Sequence, residues 1–380
     1  MTPFSFESPP AVHFGSGSLR RLGPAASSHG RRIFLLTGGG SFDGSPRMGA
    51  ALAELSACEV QRWRCPSSEP SEQSVDDAAA AALAFGPDVL VGIGGGSVID
   101  TAKAVSVLLR SPGPCGRFLE GTAGFQPVAG PGVPWIAVPT TAGTGAEVTK
   151  NAVIRSDAAG AKRSMRSPFL LADTVIVDPD LTVSLPAAIT GASGLDALTQ
   201  LIEAYVSRGT NRLVGSIVEG AFPLMMDALE KLPDDPGNID LRTKASYGAL
   251  VSGLALANAG LGAAHGFAAA VGAYHVPHGL ACAIFLPLVL EANAAVAADR
   301  LRRLAALVPG ASHAGDAVGW LSEKVTGFLA GFGLPRTLAG FRIPRSKLAD
   351  LAEKSMGSSM RGNPRELDLE ERTSILARVI

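Results

Sequence analysis

Three of the chain's six histidines, His265, His275 and His278, fall within fourteen positions. They lie inside a run, residues 245–290, that holds no Asp, Glu, Lys or Arg. An imidazole in apolar surroundings needs a partner, because a buried polar group without one is costly. One such histidine is ordinarily satisfied by a backbone carbonyl. Three together point to a metal or a catalytic site, since imidazole is both a metal ligand and a proton carrier near neutral pH. The partners on offer elsewhere are Asp196, Gln200 and Glu203, whose i, i+4, i+7 spacing sets them along one helix face.

Two further stretches suit an anion. Residues 88–93 read as a buried strand ending in Gly94, Gly95, Gly96 and Ser97. Glycines there let backbone N–H groups approach an anion, and a helix from about Ser97, through Asp100 and Lys103, points its positive end at the same place. A pyrophosphate suits that spot. Ile99 stands where the third glycine of Gly-x-Gly-x-x-Gly would be, so this is not the usual dinucleotide fingerprint. After residues 134–139, Thr140, Thr141 and Thr144 beside Gly143 and Gly145 form a second loop of the same kind. Tight turns use these residues too, so each loop alone is weak evidence. Their coincidence carries more, because ligands of open α/β sheets bind along the edge where successive strands end.

The elements that must hold these groups change character along the chain. Residues 32–37, 88–93, 134–139 and 174–178 are short apolar runs separated by helix-length, Ala-rich segments such as 76–85. That pattern predicts a parallel sheet covered on both faces. From about Leu181 the remainder reads as helix, with Ser184 expected to cap and Pro186 to sit in the first turn. Residues 357–364 read as the clearest late loop. The expected fold class is α/β plus all-α: a parallel-sheet domain over 1–183 and a helical domain over 184–380.

Composition excludes several roles. The net charge is -1, and no arginine- or lysine-rich stripe offers a field for nucleic acid. The uncharged run 245–290 is long enough to span a bilayer, but His265, His275, Pro277 and His278 interrupt it and Gly and Ala dominate it. Buried helices of a soluble protein are the expectation. The N-terminus lacks the basic and apolar segments of a signal peptide. Cys58, Cys65, Cys115 and Cys282 are scattered without paired spacing, so neither a zinc knot nor a disulfide framework is expected, and a reducing cytoplasm is.

Four segments in order, Gly94 to Lys103, Pro139 to Glu147, Asp196 to Tyr205 and Pro277 to Gly279, resemble the signature segments of the iron-containing (group III) alcohol dehydrogenases. The likeness runs from Phe14 to Arg365, nearly the whole chain. It implies a dinucleotide-binding α/β domain, a helical domain, and a catalytic iron or zinc in the cleft between them. The metal-site positions, carried over by this resemblance, are Asp196, Gln200, His265 and His278. Gln200 departs from the histidine usual in the family, and a neutral amide is a weaker ligand than imidazole for such metals. Ala269 departs too, replacing a histidine believed to relay a proton, which leaves His275 as the candidate for that role. Lys162 resembles a lysine kept near the coenzyme.

The activity implied is hydride transfer between a nicotinamide coenzyme and a small alcohol or aldehyde, by an enzyme expected to be a homodimer. Coenzyme groups are expected on Gly38, Gly39, Gly40, Ser41, Gly94, Gly95, Gly96, Ser97, Asp100, Thr140, Thr141, Thr144 and Lys162. NADP(H) is expected in preference to NAD(H), because Thr37 is followed by glycines and a serine instead of the aspartate frequent in NAD-using members. The rival readings are a lyase similar to dehydroquinate synthase, a metal-free reductase of the maleylacetate-reductase type, and a silent nucleotide-binding protein.

Overall fold

The computed structural model describes residues 3–38, 44–66, 69–111, 113–156, 160–311 and 316–380. They form two compact units, one of residues 8–141 and 146–184, the other of 185–380 with residues 142–145 and the N-terminal segment to Glu7.

The first unit is built on a six-stranded parallel sheet. Its strands are β1 (Ala11–Phe14), β2 (Arg32–Gly38), β3 (Glu59–Cys65), β4 (Val89–Gly94), β5 (Trp135–Pro139) and, after an antiparallel hairpin of β6 (Asn151–Ser156) and β7 (Ala161–Arg166), β8 (Thr174–Val177). The spatial order is β1-β8-β5-β4-β2-β3. The central strands β4, β5 and β8 are buried along their whole length, as strands covered on both faces must be. The Glu72–Phe85 helix starts with a Ser71–Ser74 capping box and stops at Gly86, which takes a left-handed conformation. The Gly96–Leu108 helix lies close on β4: a Cβ on Gly92 would come within 2.9 Å of the Ala102 methyl.

The second unit, among its described residues, is helical. Its axis is the Ala187–Val206 helix, buried at every position from 194 to 206. Around it pack the Arg212–Lys231, Ile239–Ala259 and His278–Ala306 helices. Ser184 does not cap the axial helix: its N-cap is Pro186, with no side-chain hydrogen bond. The expected late loop also contains a short helix, Ser358–Gly362. The uncharged run spans most of the Ile239–Ala259 helix, all of Ala263–Val271 and the first half of His278–Ala306. By length and composition His278–Ala306 could cross a membrane, but its apolar window is 61% buried. A parallel-sheet domain followed by a helical one is the order the sequence implies.

Candidate metal and coenzyme sites

Within the helical unit, donor atoms of Asp196, His265, His278 and Cys282 lie within 4.8 Å of one another. The axial helix supplies Asp196, which is 2% exposed. His265 stands in the first turn of Ala263–Val271, and His278 opens His278–Ala306 one turn before Cys282. Gly279 makes the convergence possible. A Cβ there would sit 2.1 Å from the Ala192 carbonyl oxygen and 2.9 Å from the Asp196 Cβ, so only glycine lets the two helices approach this closely.

Glu203, two turns along the axial helix from Asp196, organises the second wall. Its carboxylate accepts the backbone N–H of Gly262 (3.0 Å) and of Ala264 (2.7 Å), while Asn363 Oδ1 accepts that of Ala263 (3.2 Å). Groups that would be orphaned at the helix start are thus satisfied by an anion, the sign favoured there. The same carboxylate lies 2.6 Å from His265 Nδ1. In the neutral ring with its proton on Nδ1 toward Glu203, the Nε2 lone pair would face Asp196 Oδ1, 3.3 Å away.

Those two facing atoms are both buried and neither has a hydrogen-bond partner. Opposed in a dry interior, they need positive charge between them, supplied either by a proton on His265 Nε2 or by a metal ion. Against the effect of burial, the neighbouring Cys282, Asp196 and Glu203 hold His265 well above the ordinary imidazole range. Burial likewise opposes Asp196 ionisation, but His265 and His278 hold its carboxyl below the usual range. Burial pushes the Cys282 thiol up to about 12. His278 Nε2 lies 4.0 Å from Asp196 Oδ1 and 3.7 Å from Cys282 Sγ. The residues present therefore fit a divalent metal ion, with carboxylate, imidazole and sulfur donors of the kind zinc takes.

Gln200 is engaged at both ends. Its Nε2 donates to the Thr144 carbonyl (3.2 Å) and its Oε1 accepts from the Ser252 hydroxyl (2.7 Å). The sequence reading gives Cys282 no metal role, although His278 and Cys282 are spaced i, i+4 on one helix. His275 is exposed and holds a left-handed conformation (φ 57°) just after the short helical turn Gly272–Tyr274.

In the sheet unit, Gly94 ends β4, and Gly95 precedes the Gly96–Leu108 helix, whose N-terminus no side chain caps. Ser97 lies in the first turn. A Cβ on Gly95 would come 3.3 Å from the Thr141 methyl, and Thr140 N–H donates to the Gly94 carbonyl, so both glycine- and threonine-bearing strand ends adjoin. Thr144 is grouped with the helical unit instead. Asp100 accepts from Val153 N–H (3.0 Å) and lies 3.5 Å from Lys103 Nζ, a fully buried ammonium that also donates to Thr149 and Asn151. Lys162, on β7, is ion-paired with Glu69. Gly38 closes β2; Gly39, Gly40 and Ser41 lie outside the described residues. Beside Gly38, Arg62 Nε donates to Thr37 Oγ1 (3.1 Å), and Arg64 stands opposite Thr37 in the β2–β3 register.

Comparison with known proteins gives the family. Residues 9–179 match the family "Iron-containing alcohol dehydrogenase" and residues 190–380 its C-terminal counterpart, "Fe-containing alcohol dehydrogenase family, C-terminal". The chain is 32% identical over 380 residues to the probable alcohol dehydrogenase EutG of Escherichia coli (strain K12), covering 98% of this chain and 94% of that one. It is 35% identical over 293 residues to the lactaldehyde reductase of the same organism, covering 75% of each. A crystal structure of a 1,3-propanediol oxidoreductase superposes with a TM-score of 0.93 at 27% identity, over 100% of both chains. With both halves matched in order, this chain belongs to the iron-containing alcohol dehydrogenase family and is an oxidoreductase of that family.

Proposed function

We propose that the protein transfers hydride between a nicotinamide coenzyme and a small alcohol or aldehyde, with Asp196, His265 and His278 holding a divalent zinc or iron ion. The observation that carries this reading is the pair of facing, unpartnered buried atoms, Asp196 Oδ1 and His265 Nε2, inside a four-donor group. The chemistry a divalent ion supplies there is Lewis-acid polarisation of a substrate oxygen. Asp196 and His265 are fully enclosed, while the His278 side chain is 36% exposed, so His278 marks the side from which substrate reaches the group. Gly94 to Ser97 approach the pyrophosphate, and Thr140 and Thr141 contact neighbouring coenzyme groups. His275, exposed three residues before His278, passes the alcohol proton to water.

NADP(H) is the preferred coenzyme in this reading. Support comes from Arg62 and Arg64, two guanidinium groups on one face of β3 next to Thr37, where a 2'-phosphate would gain charge-assisted hydrogen bonds. A homodimer in a reducing cytoplasm completes the proposal, consistent with four free cysteines.

The test is steady-state oxidation of NADPH with a panel of small aldehydes, before chelation, after it, and after metal is restored. Activity that falls with metal content and returns with it supports the reading. A fully active, metal-free protein overturns it.

A further inference from the structure

We infer that Cys282 is the fourth protein ligand of the metal site, taking as a thiolate the place that Gln200 leaves to its own hydrogen bonds, and that this sulfur makes the site a zinc site. The inference rests on the metal reading above and adds the ligand that decides which metal is held.

The first argument is distance. Zinc bonds of about 2.0–2.1 Å to nitrogen or oxygen and about 2.3 Å to sulfur place donors in a tetrahedral site roughly 3.3–3.6 Å apart. The structure has 3.3 Å from His265 Nε2 to Asp196 Oδ1, 3.7 Å from Cys282 Sγ to His278 Nε2, and 4.0 Å from His278 Nε2 to Asp196 Oδ1. Small side-chain adjustments close all of them onto one ion. The second argument is competition for the vertex. The Gln200 amide is bonded to Thr144 and Ser252, so turning its oxygen onto a metal would break hydrogen bonds in a buried place. The Cys282 side chain, fully buried and one turn from His278, has only weaker thiol contacts to give up, among them the one to His278 Nε2 at 3.7 Å.

The chemistry follows from the donor. A metal deprotonates a coordinating thiol outright, so the Cys282 proton is released as the metal binds. One thiolate, one carboxylate and two imidazoles form a set that favours zinc, both by softness and by its place above ferrous iron in the affinity order. A substrate oxygen would then have to add as a fifth donor, an expansion that some catalytic zinc sites make.

Cobalt(II) reports a sulfur ligand through a thiolate-to-metal charge-transfer band in the near ultraviolet. The full-length protein is stripped with chelator, loaded with one equivalent of cobalt(II), and its absorption recorded beside Cys282→Ser, Cys282→Ala and Cys58→Ser. The expected result is an intense band in the wild type and in Cys58→Ser, absent from both Cys282 variants. Zinc affinity by chelator competition should fall at least about tenfold in Cys282→Ser, with iron(II) affinity changing less. Stoichiometric cobalt without the band in the wild type overturns the inference and leaves the Asp196, His265 and His278 reading standing. Failure of the wild type to take up any metal overturns both.

Discussion

Glu203 Oε2 lies 2.6 Å from His265 Nδ1, and the same carboxylate receives the N–H groups of Gly262 and Ala264. One side chain thus sets both the ring's protonation pattern and the helix turn that carries it. Glu203→Gln, which offers one good acceptor and no charge, should weaken metal binding by about 10- to 100-fold while the fold survives. Glu203→Ala should in addition lower unfolding stability by roughly 1–3 kcal/mol, because buried N–H groups lose their acceptor. Chelator competition and urea unfolding measure the two effects. Unchanged affinity in both variants would show that His265 needs no orienting partner.

Asp196→Ala, His265→Ala and His278→Ala should each cut turnover roughly a thousand-fold or more, the loss expected for several kcal/mol of Lewis-acid stabilisation. Coenzyme affinity, read by fluorescence titration with NADPH, should change little, since the glycine-bearing strand ends lie in the other unit. Double variants should be no worse than single ones, as for groups that act together. Widely different single losses, with chelators inert, would favour metal-free chemistry.

Arg62→Ala and Arg64→Ala should reduce kcat/KM for NADPH about tenfold or more each and leave that for NADH nearly unchanged, because a charged hydrogen bond contributes about 1.5–3 kcal/mol. Parallel loss with both coenzymes would place these arginines in structural roles. Better efficiency with NADH in the wild type would remove the expected preference altogether.

Glu147 is 4% exposed, and its burial pushes the carboxyl up from the ordinary 4.5 to about 7. Between those values the folded protein keeps a proton that the unfolded chain releases, so stability from this group is lost as pH rises. Glu147→Gln should therefore flatten the decline from about pH 4.5 to about pH 7, gaining at most about 3 kcal/mol above it. Denaturant unfolding at several pH values tests it, and a variant with the wild-type slope would contradict it.

Gly279→Ala places a methyl against the Ala192 carbonyl and the Asp196 side chain. An overpacked contact of this kind costs about 1–3 kcal/mol. Metal affinity should fall with it, because relief of the clash moves His278 and Cys282 away from Asp196. A variant with normal metal content and Tm would show that the helices separate without disturbing the donors.

Much of this was readable from residue types. Strands β4, β5 and β8 are unbroken apolar runs because both faces of each are covered, and such runs stand out in a sequence. β3, with the order Glu-Val-Gln-Arg-Trp-Arg-Cys, lies on the sheet edge with solvent-facing positions, and so lacked that signal. The hairpin β6–β7 carries Arg155, Lys162, Arg163 and Arg166 and was hidden for the same reason. In the site, the spacing of Asp196 and Glu203 foretold a shared helix face, and both carboxylates indeed meet His265. The role of Cys282 is not legible from cysteine spacing, because its partners are two histidines and a carboxylate and not another cysteine. The engagement of Gln200 by Ser252 and Thr144 depends on contacts distant in sequence, which no local pattern encodes.

The buried Asp196–His265 pair also bears on how long the protein lasts in a cell. A ligand that binds only the folded chain adds RT ln(1 + [L]/Kd) to its stability, about 4 kcal/mol when free metal exceeds Kd a thousand-fold. Where metal is scarce, that contribution shrinks and the unfolded fraction open to proteases grows correspondingly. The abundance of this enzyme should then follow metal supply even at constant synthesis, with the buried pair acting as a gauge of the ion the enzyme employs.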